Sequence, residues 1–128
     1  MPRRILFTSQ KGGVGKSTLA RSTAVALAYA GRRVLLADFD VDQRTCMRWQ
    51  AQRVARALEP KIEVAAFSKE KKLGRVEFDY QDIVIDTRDG AVPRGLVRVA
   101  QVVYANPDMT VFRLSSPRSA ALKVRPSA

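Results

Sequence analysis

The residues with the most evident chemistry lie together in Lys11-Gly12-Gly13-Val14-Gly15-Lys16-Ser17-Thr18. Three glycines within this octet free the main chain to wrap closely, so that successive N–H groups point into one concavity. Such a cradle suits an anion, and a helix starting just behind it adds the positive end of its dipole. Lys16 would reach the outer phosphates of a polyphosphate, and Ser17 would offer its hydroxyl to Mg²⁺. The plain alternative is a glycine-rich turn with no ligand. Other chemistries are excluded by composition. The 128 residues include no histidine, which removes the Ser-His-Asp triad, the Cys-His dyad and every His-containing zinc site. Cys46 is the only cysteine, so no internal disulfide forms and no cysteine cluster can hold a metal.

These residues need elements to hold them. An apolar run at 5–9 reads as a short buried strand entering the glycine turn. Residues 16–30 are rich in Ala and Leu and read as a helix closed by Gly31. A second apolar run at 34–37 ends at Asp38, and an Arg-rich helix is expected from about 43 to 58, broken by Glu59-Pro60. Residues 62–67 form a third strand candidate, and Ile83-Val84-Ile85 runs into Asp86 as a fourth. Beyond Asp86 the signal weakens: 97–104 reads as a helix end plus a strand, 110–114 as a strand, and 115–128 as a frayed tail rich in Ser, Pro, Arg and Ala. Short apolar strands alternating with helices predict right-handed βαβ units and a parallel sheet. The expected architecture is an α/β, P-loop NTPase-like domain over residues 1–114. Its sheet would be mostly parallel, flanked by helices and incomplete on the C-terminal side.

With the strand, loop and helix in this order, the octet resembles the signature of the ParA/MinD family of deviant Walker A ATPases. That family includes partition ATPases, division-site ATPases and the nitrogenase iron protein. The ordinary pattern would place glycine at position 10, where this chain has Gln10, and the extra lysine is Lys11. The resemblance covers roughly residues 3–90 and extends to two further motifs. Val34-Leu35-Leu36-Ala37-Asp38-Phe39-Asp40 resembles the family's second strand, ending in Asp-x-Asp. By that match Asp40 positions the attacking water and Asp38 supports the magnesium and lysine network. The family usually continues with Pro-Gln, whereas this chain reads Val41-Asp42-Gln43, so Asp42 competes with Asp40 for the role. Asp82-Ile83-Val84-Ile85-Asp86-Thr87 resembles the Walker B strand, which implies Asp86 near Mg²⁺.

The resemblance implies ATP and Mg²⁺ as ligands, with Lys11, Gly12, Gly13, Val14, Gly15, Lys16, Ser17 and Thr18 around the nucleotide. Ser17, Asp38 and Asp86 would surround the metal, and Lys11, Lys16 and Asp40 would carry the chemistry. In relatives the lysine matching Lys11 crosses a dimer interface to the partner's phosphates, so an ATP-bound homodimer is expected. Partition members bind non-specific DNA and answer to a ParB-like centromere-binding protein. The balance of 23 Lys and Arg against 12 Asp and Glu, a net charge of +11, suits a polyanion. Arg44, Arg48, Arg53 and Arg56 on the second helix are the candidate DNA strip; a solvated helix face is the alternative.

Family members run longer than this chain, and the Arg-Ser-Pro-Ala bias after Gly90 suggests a truncated chain. A weak or inactive basic nucleic-acid-binding fragment is therefore one alternative function. A division-site ATPase is a second, disfavoured because 120–128 is short and contains Pro126. An iron-protein type is disfavoured because it needs two cysteines per subunit. No leader or membrane-spanning segment is evident, and the expected compartment is the cytoplasm, with the nucleoid as a possible site.

Overall fold

The computed structural model describes residues 2–9, 15–88, 95–96, 102–106, 110–113 and 122–124. Seven strands form one sheet: β1 Arg3–Ser9, β2 Val34–Asp38, β3 Glu63–Ala66, β4 Asp82–Asp86, β5 Val102–Asn106, β6 Thr110–Arg113 and β7 Leu122–Val124, in the order β3-β2-β4-β1-β5-β6-β7. The first five in that order pair in parallel, and β6 and β7 are added antiparallel. The helical elements that are described in full are α1 Lys16–Tyr29, α2 Thr45–Ala55 and the single turn α3 Glu70–Gly74, followed by a 3₁₀ turn at Glu77–Asp79.

The central strands are apolar on both faces, as a parallel sheet covered on both sides requires. Side chains alternate across β2 and β4. Leu35, Ala37, Ile83 and Ile85 pack with Leu6, Phe67, Leu73 and Leu96 on one face. Val34, Leu36 and Val84 pack with Phe7, Ala20, Ala24, Cys46 and Ile62 on the other, beneath α1 and α2. Ala20 and Ala24 are fully buried, and their small side chains let α1 lie close to the sheet. This closeness brings the start of α1 to the ends of β1 and β4.

The boundaries of α1 follow from two glycines in the left-handed region, Gly15 (φ 82°) at its start and Gly31 (φ 86°) beyond its end. At the latter, the Gly31 N–H donates to Ala28 O (3.0 Å) and the Arg32 N–H to Leu27 O (3.2 Å), closing the helix as a Schellman turn. The second helix is shorter than the expected 43–58. Arg44 (φ 51°) turns the chain at its start, and Ala57 (φ 51°) ends it by the same Schellman pairing, with Leu58 N–H donating to Arg53 O at 3.0 Å.

The expected strand at 62–67 is the four-residue β3, which lies at the sheet edge. The strand part of 97–104 is β5, and 110–114 is β6; residues 97–101 lie outside the described residues. The stretch 115–128, read as a frayed tail, contributes β7, paired along Val111–Arg113 of β6. The rest of that stretch lies outside the described residues.

Polar groups close the amino end of the sheet. Asp82 is fully buried and accepts from Arg3 Nε at 2.9 Å and from Arg32, whose guanidinium that acid holds above its ordinary pKa. Arg4 and Glu77 form a buried two-pronged pair at 2.7 and 2.8 Å.

Candidate functional site

At the carboxyl end of the sheet, Lys16 opens α1 and turns inward, with only 3% of its surface exposed. Its Nζ donates to Asp86 Oδ1, to the Thr87 carbonyl and, at 3.3 Å, to Ser17 Oγ. Asp86 ends β4 beside β1, so the apolar strand delivers its acid to the base of the helix. Thr87 fastens that end, its hydroxyl donating to Phe7 O at 2.8 Å. A lysine buried beside one carboxylate is a costly arrangement unless its hydrogen bonds are complete; here three acceptors surround it.

Asp38 ends β2 at the same level, paired in register with Asp86. Its Oδ1 accepts from the Asp40 N–H (3.0 Å) and its Oδ2 from the Cys46 N–H (3.2 Å). Burial lifts its pKa above the usual carboxylate range; the Asp40 N–H opposes this, and the nearby charge of Asp86 adds to it. Asp38 thus ties the loop after β2 to the start of α2.

Cys46 completes the cluster and was not singled out for it by sequence. It is fully buried, and its thiol donates to Asp86 Oδ2 at 3.2 Å. Burial, followed by the charges of Asp86 and Asp38, pushes the thiol pKa strongly upward, so it stays protonated and acts as a donor rather than a nucleophile. One ligand atom from each of Asp38, Cys46 and Asp86 lies within 4.8 Å of the others. The only hint in the sequence was a small, weakly polar residue at the start of a helix that follows an Asp-x-Asp.

Asp40 and Asp42 stand farther out. Asp40 Oδ1 accepts from the Gln43 N–H (3.2 Å), shaping the turn into α2. Both acids line a cavity of about 360 Å³ together with Ser17, Gln43, Thr45 and Arg88. Both candidates for a water-positioning acid therefore face the same space as Ser17.

Of the expected phosphate loop, Gly15, Lys16, Ser17 and Thr18 are described; Lys11, Gly12, Gly13 and Val14 lie outside the described residues. Thr18 is exposed, and its hydroxyl accepts from Arg21 at 3.2 Å. The structure thus brings together Lys16, Ser17, Asp38 and Asp86, with Asp40 at the rim. Ser17 and the two buried acids are hard oxygen donors beside a helix start, a set that suits Mg²⁺.

The four arginines do not share one disposition. Arg44 and Arg48 are exposed and fold back on the loop, to Val41 O (3.2 Å) and Gln43 O (2.6 Å). Arg56 is exposed. Arg53 turns inward, donating to Pro60 O at 2.8 Å with its guanidinium 5.1 Å from the Trp49 ring. Arg21 approaches the same ring at 5.9 Å, so Trp49 anchors α1 to α2.

A mostly parallel α/β sheet with a lysine at a helix start held against a strand-end acid is the arrangement of a nucleotide-binding domain of the P-loop type. The chain belongs to the CobQ/CobB/MinD/ParA nucleotide binding domain family, whose pattern matches residues 5–111. It is 52% identical over 40 residues to the sporulation initiation inhibitor protein Soj of Bacillus subtilis, covering 31% of this chain and 16% of that protein. It is 58% identical over 38 residues to the chromosome-partitioning ATPase Soj of Thermus thermophilus, covering 30% and 15%. The septum site-determining protein MinD of Escherichia coli is 46% identical over 44 residues, covering 34% and 16%. The matched stretches thus span about one-sixth of each relative's length.

Among solved structures, a plasmid partition protein from Borrelia burgdorferi superposes with a TM-score of 0.60 at 19% identity, covering 82% of this chain and 65% of that one. The ParA of pNOB8, solved bound to nonspecific DNA, superposes with a TM-score of 0.58 at 20% identity, covering 85% and 56%. At these identities the likeness establishes the fold.

Proposed function

We propose that the chain binds Mg-ATP through the loop before α1 and acts as the ATPase part of a partition-type protein. The observation that carries this reading is the buried Lys16, held by Asp86 and the Thr87 carbonyl at the start of α1. The cation sits at the point where the loop would end and the helix dipole is most positive.

In this reading Lys16 compensates phosphate charge, and Ser17 and Asp86 hold the metal. Asp38 fixes the loop after β2 through its two N–H bonds. Asp40 or Asp42 orients the water that adds to the terminal phosphorus as the bridging oxygen leaves, yielding ADP and inorganic phosphate. The magnesium ion, when bound, offsets charge on the phosphate oxygens. Cys46, kept protonated, orients Asp86. Lys11 would reach across a homodimer to the partner's phosphates, making dimerisation depend on ATP.

The net charge of +11 supports non-specific DNA as the polyanionic partner, with exposed Arg44, Arg48 and Arg56 as candidate phosphate contacts and Arg53 as their buttress against Trp49. The Soj relatives, one of them a chromosome-partitioning ATPase, point in the same direction, and the reading extends to a ParB-like regulator and a cytoplasmic or nucleoid location. No helix among the described residues is long and apolar enough to cross a membrane.

The same charge favours a second reading, a basic nucleic-acid-binding protein without turnover. Phosphate release from Mg-ATP, measured with and without duplex DNA, separates the two. The ATPase reading expects turnover that is lost in Lys16→Ala. DNA retention with no release above background supports the second.

A further inference from the structure

Thr87 and Arg88 follow Asp86 directly, so the strand end that carries the buried acid also carries an exposed guanidinium. Thr87 is enclosed and fastened to Phe7. Arg88 begins where that anchoring stops. Its side chain is 66% exposed and reaches Asp42 Oδ2 at 3.6 Å, on a carboxylate that is itself 68% exposed. Both residues line the cavity of about 360 Å³ that also holds Ser17, Asp40, Gln43 and Thr45. Arg88 is the one cation among those six residues, and it faces two carboxylates.

This arrangement poses an electrostatic problem for a triphosphate. Ser17 places the start of α1 at one wall of the cavity. A phosphate chain held by Lys16 would therefore extend its outer end toward Asp40 and Asp42, which repel it. Lys16 is buried below, already shared with Asp86 and Thr87. Among the six residues lining the cavity, Arg88 carries the cation that can add to Lys16 and the bound metal in offsetting that charge. Its present partnership is easily given up, because an exposed ion pair is screened by water and costs side-chain freedom. A guanidinium gains more from two phosphate oxygens, which match its fork.

We propose that Arg88 is a positioning residue for the outermost phosphate, released by Asp42 when a triphosphate binds, and that it sets the preference for ATP over ADP. The proposal rests on the phosphate-binding reading of Lys16. The 3.6 Å pair with Asp42 is then the resting place of Arg88. ADP has no group to draw it away.

The test is calorimetric titration of the full chain with Mg-ATP and with Mg-ADP. The variants are Arg88→Ala, Arg88→Lys and Asp42→Asn, each checked by thermal melting. Arg88→Ala should weaken Mg-ATP by roughly tenfold, the loss of one charge-assisted contact, while Mg-ADP changes by less than about twofold. Arg88→Lys should recover part of that loss, since it keeps the charge without the fork. Asp42→Asn should tighten Mg-ATP and leave Mg-ADP unchanged. The ratio of the two affinities is the deciding quantity, because a merely structural role would move both together. An unchanged ratio in Arg88→Ala overturns the proposal; if that variant does not fold, an unchanged ratio in both Arg88→Lys and Asp42→Asn does so. A wild-type protein that takes up neither nucleotide defeats the phosphate-binding reading and this proposal with it.

Discussion

Lys16 and Asp86 are each other's principal compensation in a region where water is nearly absent. Removing one leaves the other as an uncompensated buried charge, which typically costs about 3–5 kcal/mol. Lys16→Ala should therefore lower stability by about 3 kcal/mol even without nucleotide, because Asp86 loses its cation while Asp38 lies nearby. Lys16→Ala combined with Asp86→Asn should be more stable than Lys16→Ala alone. Urea denaturation of the four proteins in this cycle measures the coupling, and additive effects would show that the two charges do not depend on each other. The lysine and both acids were legible because each closes an apolar run or a glycine turn. Cys46 was not, because its role arises from a hydrogen bond across 40 residues of chain. The inward turn of Arg53 was hidden for a similar reason: it depends on Pro60 and Trp49 meeting in space.

Helix ends show how local rules place the site. Gly15 and Gly31 sit where α1 needs the left-handed region, and both are glycines, so α1 and its neighbours could be read directly. The end of α2 uses Ala57 in the same region, which strains an L-residue by roughly 1–2 kcal/mol. Nothing in an alanine announces this, so the helix was expected to continue to 58. Ala57→Gly should raise stability by roughly 0.5–1 kcal/mol, after the added freedom of the unfolded chain is allowed for. An unchanged or lower denaturation midpoint would count against the strain. At the sheet edge, the Tyr80 hydroxyl donates to Glu63 of β3, and this bond, with burial second, raises the tyrosine from 10.0 to about 12. A pKa raised in the folded state gives stability that is complete below pH 10 and lost as pH climbs from 10 toward 12. Tyr80→Phe should lack that loss. Since the hydroxyl's bond to Glu63 lies exposed to water, the effect is small, and absorbance titration of the phenolate near 295 nm reads it more directly than unfolding does.

At the scale of the whole molecule, one sheet separates two charge arrangements. Its amino end is closed by Arg3, Arg4 and Arg32 against buried acids, whereas its carboxyl end gathers acids around the buried Lys16. The parallel order of β2, β4 and β1 makes this possible by ending the strands at one level, which is why apolar runs each ending in aspartate bring Asp38 and Asp86 side by side. Of the two antiparallel strands, β6 was expected at 110–114, whereas β7 was not, since a three-residue strand in a Ser- and Pro-rich stretch carries almost no periodicity. If the basic surface binds duplex DNA through phosphates, retention should fall steeply with salt and be insensitive to sequence; a salt-independent or sequence-specific signal would point elsewhere. A phosphate site at Lys16 is the premise of all the nucleotide chemistry proposed for this chain. Calorimetry of the purified chain with Mg-ATP tests it directly. Saturable uptake that Lys16→Arg, which keeps the charge beside Asp86, weakens strongly is the predicted result; no heat at millimolar nucleotide from a folded wild-type protein would contradict it.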